Sequence, residues 1–126
     1  MNSPSNPSSA VRRAPEHAPM DQWPQRDGEL LVGGRPLSLL AEQVGRTPFY
    51  ACDRALLRAR VGELRTALPA GVKLHYAMKA NPMPALVCFM AQQVDGIDVG
   101  SAGELKVAVD AGAGPAEISF AGPGNN

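Results

Sequence analysis

The stretch "LHYAMKANPMPAL", Leu74 to Leu86, carries the reading of the fold. Its first half is an apolar run that suits a β-strand. Its second half turns through Asn81-Pro82 and opens a helix with Pro84 in the first turn, where a missing N–H costs nothing. Lys79 stands at the junction. Side chains alternate along a strand, so a strand through "VKLHYAMK" puts His75, Ala77 and Lys79 on one face. Leu74, Tyr76 and Met78 fall on the other face and suit a layer of helices.

The same rhythm continues outward. "MPALVCFMAQQV" reads as a helix, "GIDVGS" as a strand, "AGELKVAVDAG" as a helix closed by Gly112, and "EISFAG" as a strand. Strands alternating with single helices predict parallel β/α units with right-handed crossovers. An open doubly wound sheet and a (β/α)8 barrel both begin this way. In both, ligands bind at the carboxyl ends of the strands. That is the end where Lys79 is expected.

A lysine there has two readings. It can snorkel to solvent, or its amine can hold an aldehyde cofactor such as pyridoxal phosphate as a Schiff base. The second needs a neutral amine, hence desolvation or a tuned charge environment. On the next strand Asp98 and Gly100 share one face, and Ile97 and Val99 the other. Asp98 is therefore expected near the same rim, either as an ion pair between strands or as part of a site. Ser101 and Glu104, in "SAGE", have the spacing of a capping box. His75 is expected as a satisfied core histidine rather than a ligand. Asp95, Asp110 and the arginines between Arg54 and Arg65 read as solvated faces. No GxGxxG, P-loop or paired Cys/His motif occurs.

Upstream, "ELLVGG" reads as a strand ending in a Gly-Gly turn. "PLSLLAEQVG" reads as a helix led by Pro36 and stopped by Gly45, and "TPFYAC" as a strand. Asp53 caps a long helix whose Leu57, Val61, Leu64 and Leu68 form one apolar stripe ended by Pro69. Residues 1–22 are rich in Pro, Ser and Asn and are expected to form a disordered tail. Met20 is a candidate start. Residues 23–52 form a leading segment, 53–124 the β/α part, and 125–126 an abrupt end.

The chain has 126 residues, 44% hydrophobic and 19% charged, with zero formal net charge. That balance is globular and gives no support for nucleic acid or an anionic membrane as partner. The apolar runs are too short to span a bilayer, and residues 1–15 lack the apolar core of a secretory signal. Cys52 and Cys88 follow no metal spacing, and Cys88 is expected as a buried free thiol. The cytoplasm is the expected compartment.

"HYAMKANPMPAL", "GIDVGSAGELKVAVDAG" and "ISFAGPG" together resemble the pyridoxal-phosphate decarboxylases of the ornithine, diaminopimelate and arginine group. The segment "DGELLVGGRPLSLLAEQVGRTPFYACD" is similar to the leading part of diaminopimelate decarboxylases, and more so of those associated with exosortase gene clusters. The resemblance covers roughly residues 21–124. It implies an α/β fold, the N-terminal part of an alanine-racemase-like (β/α)8 barrel, with about three parallel strands and intervening helices. It implies pyridoxal 5'-phosphate as cofactor, held by Lys79 as a Schiff base. Ala77 would line the pocket, Asp98 would lie beside the cofactor, and Glu104 would support the site. An amino acid would be the substrate, α-decarboxylation the reaction, and a homodimer the assembly. Asn125 stands where the group often has lysine. The remaining barrel strands, the phosphate-binding loop and the C-terminal β-domain of such enzymes are not in this sequence. The polypeptide by itself is therefore expected to be an inactive N-terminal fragment. A racemase-like barrel protein and a truncated gene product are the alternatives, and the choice of amino acid is left open.

Overall fold

The structure is a computed structural model and describes residues 14–121. The expectations for residues 1–13 and for the end at 122–126 lie outside the described residues. Residues 14–20 carry no regular secondary structure.

The leading segment is a small antiparallel meander: β1 (Gln25–Arg26), β2 (Glu29–Val32) and β3 (Arg35–Pro36), in that order. Two-residue turns join them. Asp27 and Gly28 have φ of 53° and 77°, and Gly33 and Gly34 of 59° and 74°. Positive φ at both central residues marks the turn whose twist matches a hairpin. The sequence reading found β2 and its Gly-Gly turn and missed β1 and β3, although Asp27-Gly28 is a hairpin signal. Helix α1 (Leu37–Val44) follows and ends as expected at Gly45, in the left-handed conformation at φ 75°. The backbone N–H of Ser38 donates to the Glu29 carboxylate, which docks the start of α1 on β2.

The strand expected over "TPFYAC" does not form. Residues 47–53 pair with no strand, and Tyr50 is fully exposed. Aromatic content alone does not make a strand where no neighbouring ladder offers partners.

Helix α2 (Arg54–Ala67) begins where Asp53 caps it: Ala55 N donates to Asp53 Oδ1 at 2.8 Å. The other oxygen accepts from Gly33 N at 3.1 Å, so one carboxylate ties the hairpin to the helix. After α2 come β4 (His75–Ala77), α3 (Pro84–Ala91), β5 (Gly96–Val99), α4 (Ala102–Asp110) and β6 (Ile118–Phe120). Strands β4, β5 and β6 are parallel and adjacent in that order. Short 3₁₀ turns lie at Met78–Ala80 and Pro115–Glu117. Strand β4 is therefore shorter than expected. It stops at Ala77, two residues before Lys79.

The helices cover one face of the sheet. Met78, Val87, Ile97, Val99 and Ala108 are essentially solvent-free and form the main core with Ala113. Val61 of α2 meets Leu86 and Met90 of α3 in a second cluster, with Leu57 and Leu74 against it. Leu64, the outer member of the expected stripe, is exposed. The opposite sheet face carries His75, Asp98 and Ser119 and, among the described residues, has no helix on it. Helices on one face only, over sequentially ordered strands, are the pattern of barrel units and not of a doubly wound sheet. The fold is α/β and fits part of an alanine-racemase-like barrel.

Two surface readings change. Cys88 is a free thiol but is exposed, because it lies on the outer side of α3 away from the core. Asp95 is not merely solvated. It accepts from Leu74 N at 2.8 Å and from Arg65 at 3.1 Å, and its own N–H donates to Leu74 O at 2.8 Å. It thus clasps the start of β4 to α2 and to the approach of β5. These bonds, from Leu74 first and then Arg65, hold its carboxyl below the usual carboxylate range.

Two stability outcomes follow from this packing. Ile97→Ala, at a site 1% exposed, should lower unfolding free energy in urea by about 3 kcal/mol, whereas Leu64→Ala should change it by less than about 0.5 kcal/mol. Equal losses would contradict the one-sided core. The depressed carboxyl of Asp95 makes its contribution present above its unfolded pKa and lost as pH falls through its folded pKa. Asp95→Asn should therefore lower the unfolding midpoint at pH 7 and flatten its decline in acid. A midpoint curve identical to the parent's from pH 7 to 3 would remove Asp95 from the clasp.

Candidate active site

Met78 controls the approach to the site. Its side chain is wholly buried, and the backbone coils into a 3₁₀ turn around it. The Tyr76 hydroxyl donates to Asn81 O at 2.7 Å and spans the turn, while Asn81 Oδ1 accepts from Met83 N at 3.1 Å and starts α3. Burial pushes the Tyr76 phenol up. Lys79 is thus presented from a pinned turn beyond the strand end. Strand alternation accounts for Ala77, but the turn accounts for Lys79.

Ala77, Lys79, Asp98 and Glu104 line one cavity, together with Val99, Gly100 and Ala121. All four residues singled out in the sequence are therefore brought together. The cavity measures about 110 Å³. Complete small-molecule pockets run to roughly 300–1,000 Å³, so this cavity is smaller than a whole small-molecule site. Larger clefts of about 460 and 720 Å³ lie beside the leading segment and α2. They hold no comparable convergence of an amine with two carboxylates.

Of the two readings of Lys79 and Asp98, the ion pair between strands does not form. Among the described residues no hydrogen bond or ion pair engages Lys79. Asp98 instead accepts at Oδ1 from His75 Nδ1 at 2.9 Å and from the Ser119 hydroxyl. Ser119 first and His75 second hold its carboxyl below the usual range. His75 is not in the core. It lies on the open sheet face, satisfied by Asp98. Sequence reasoning missed Ser119, although its place on the expected third strand opposite Asp98 was available from register.

The capping box forms by half. Glu104 N donates to Ser101 Oγ at 3.1 Å, but the carboxylate does not return to the Ser101 amide. Glu104 Oε2 accepts from the Ser101 hydroxyl at 3.2 Å, and Oε1 is buried with no partner among the described residues. A buried carboxylate oxygen without a partner is costly, and here it belongs to a residue that lines the cavity. Gly100 keeps that wall open: a Cβ there would lie 3.2 Å from Ala121 O and 3.6 Å from Glu104 Oε2.

The family described as pyridoxal-dependent decarboxylase, pyridoxal binding domain, matches residues 54–126. The chain belongs to that family. A diaminopimelate decarboxylase of Aquifex aeolicus is 39% identical over 99 residues, covering 79% of this chain and 23% of the relative. One from Pseudomonas aeruginosa is 37% identical over 107 residues, covering 83% and 25%. A crystal structure of an Aquifex aeolicus protein aligns with a TM-score of 0.73 at 38% identity, covering 82% of this chain and 26% of that one. The chain thus spans about a quarter of the length of the curated relatives it matches. A pyridoxal-binding domain needs an amine for the cofactor's aldehyde and polar groups beside it. The free Lys79, the ionised Asp98 and the unpartnered Glu104 oxygen fit that need.

Ser101→Ala should remove both the cap of α4 and the one hydrogen bond on the Glu104 carboxylate. The cap alone is worth about 1 kcal/mol, and urea unfolding should show a loss of at least that size. An unchanged stability would mean that the cap of α4 does not depend on Ser101.

Proposed function

We propose that this chain supplies the lysine-bearing part of a pyridoxal-phosphate-dependent amino-acid decarboxylase. The reading rests on one observation: in a chain of this family, Lys79, Asp98 and Glu104 converge on one cavity, with the Lys79 amine unpaired among the described residues. Pyridoxal phosphate, when bound, supplies an aldehyde that condenses with amines and a conjugated ring that takes up the electron pair left by departing CO2.

In this proposal Lys79 Nζ anchors the aldehyde, and Ala77 leaves space beside it. Asp98, kept ionised by its two donors, offers a fixed anion to the amine of Lys79 or of an incoming amino acid. The Oε1 of Glu104 accepts from a polar hydrogen entering the cavity. When not engaged with the aldehyde, Lys79 Nζ would be free to carry a proton within the site. The names of the relatives support diaminopimelate as the first substrate to test. A homodimer in the cytoplasm is part of the same proposal. No helix among the described residues is long and apolar enough to cross a membrane.

The test is chemical trapping. The protein is incubated with pyridoxal phosphate, reduced with borohydride and mapped by peptide mass. Label is expected on Lys79 in preference to Lys73 and Lys106, and should vanish in Lys79→Ala. Lys79→Arg should also lose it, because a guanidinium remains protonated and forms no imine. In a protein carrying the remainder of the barrel, both variants should lose nearly all CO2 release from diaminopimelate. Label spread evenly over the three lysines would overturn the assignment.

A further inference from the structure

The open face of the parallel sheet carries a polar row that the reading above does not use. Ala77, Asp98 and Ser119 are lateral neighbours across β4, β5 and β6, and His75 lies one rung below, opposite Gly96. The His75 ring leans up the sheet, and its Nδ1 reaches Asp98 Oδ1 at 2.9 Å and Ser119 Oγ at 3.3 Å. Room for the ring comes from the missing side chain at residue 96. A Cβ there would lie 2.7 Å from His75 Cε1 and Nε2, and 2.6 Å from Glu117 O.

The hydrogen-bond roles follow from the charge on Asp98. An ionised carboxylate only accepts, so both neighbours donate to Asp98 Oδ1. The Ser119 hydroxyl spends its single proton there. Its lone pairs then face His75, which must carry its proton on Nδ1. Oδ1 is doubly engaged, while Oδ2 has no partner among the described residues and Asp98 lines the cavity of Lys79.

We propose that His75 and Ser119 are positioning residues: they lock the Asp98 carboxylate by Oδ1 and turn Oδ2 toward the cavity shared with Lys79 and Glu104. The importance of that orientation rests on the cofactor reading of the cavity, whereas the lock itself does not. The charged and titratable groups facing Asp98 are His75 and Lys79 from the β4 side and Glu104 from α4, with the Ser119 hydroxyl from β6. Only His75 and Ser119 touch it. Their hydrogen bonds favour the ionised form, in line with the low carboxyl pKa noted above.

The experiment is NMR on the cofactor-free protein labelled with ¹³C and ¹⁵N. It has two histidines, His17 and His75, so the imidazole signals are readily assigned. Expected are a His75 ring protonated at Nδ1 at neutral pH and an Asp98 Cγ midpoint below the ordinary carboxylate range. His75→Leu and Ser119→Ala should each move that midpoint up. His75→Asn, whose amide N–H can stand in for Nδ1–H, should bring it back toward the parent value. A merely structural role would alter stability without this rescue. An unchanged Asp98 midpoint in a folded His75→Leu protein, or a ring protonated only at Nε2, would overturn the proposal. If His75→Leu does not fold, Ser119→Ala decides on the same readout, and loss of folding in both would also overturn it by making the row a folding element. Borohydride trapping on Lys79 is run in parallel on the parent. Its absence would sink the cofactor reading while leaving the Asp98 titration to judge the lock, so the two failures are distinguishable.

Discussion

Burial of Met78 governs where the chain can go after β4. The side chain has no exposure and sits among Val87, Ile97, Val99 and Ala108. Burying a side chain of this size is worth roughly 1.5–3 kcal/mol, so the backbone follows the methionine inward and coils. The next residue is then carried over the strand end to the rim. The Tyr76–Asn81 hydrogen bond closes the same loop from the other side. A lysine on a strand could slide by a residue only by reversing faces. Held in a turn between a buried methionine and a bonded asparagine, it has one place to be.

The sequence exposed the order of elements because parallel β/α units write two periodicities in alternation, two residues for strands and nearly four for helices. Ile97 and Val99 against Asp98 is the clearest instance: the alternation assigned both faces of β5, and burial agrees. The strand over "TPFYAC" failed for the opposite reason. Composition described the residues but not the partner they would need. Asp95 and Cys88 were misjudged because a side chain's neighbours across α2, α3 and the strand starts are long-range facts. No local pattern records that Arg65 reaches Asp95, thirty positions away.

At the site, convergence was legible and contact was not. Lys79 and Asp98 could be placed at one rim from strand register, whereas a place for Ala77 and Glu104 beside them came only from the family resemblance. What each one touches depended on short geometry. Asp98 turned out to face His75 along the sheet, since a ring on the rung below reaches it wherever residue 96 lacks a side chain. The capping box closed only halfway: the Glu104 carboxylate meets the Ser101 hydroxyl and not its amide.

The two carboxylates of the cavity consequently stand in different states. Asp98 has two donors on one oxygen and is held as an anion. Glu104 has one donor on Oε2 and leaves Oε1 buried with none among the described residues. A site meant only to be stable would have paired Lys79 with one of them. The fold instead spends neutral donors on Asp98, keeps the lysine amine unpaired among the described residues, and leaves one oxygen with unused capacity. Each of the three groups therefore keeps capacity beyond its neighbours: the Lys79 amine has no partner among the described residues, and Asp98 and Glu104 each keep one oxygen without one.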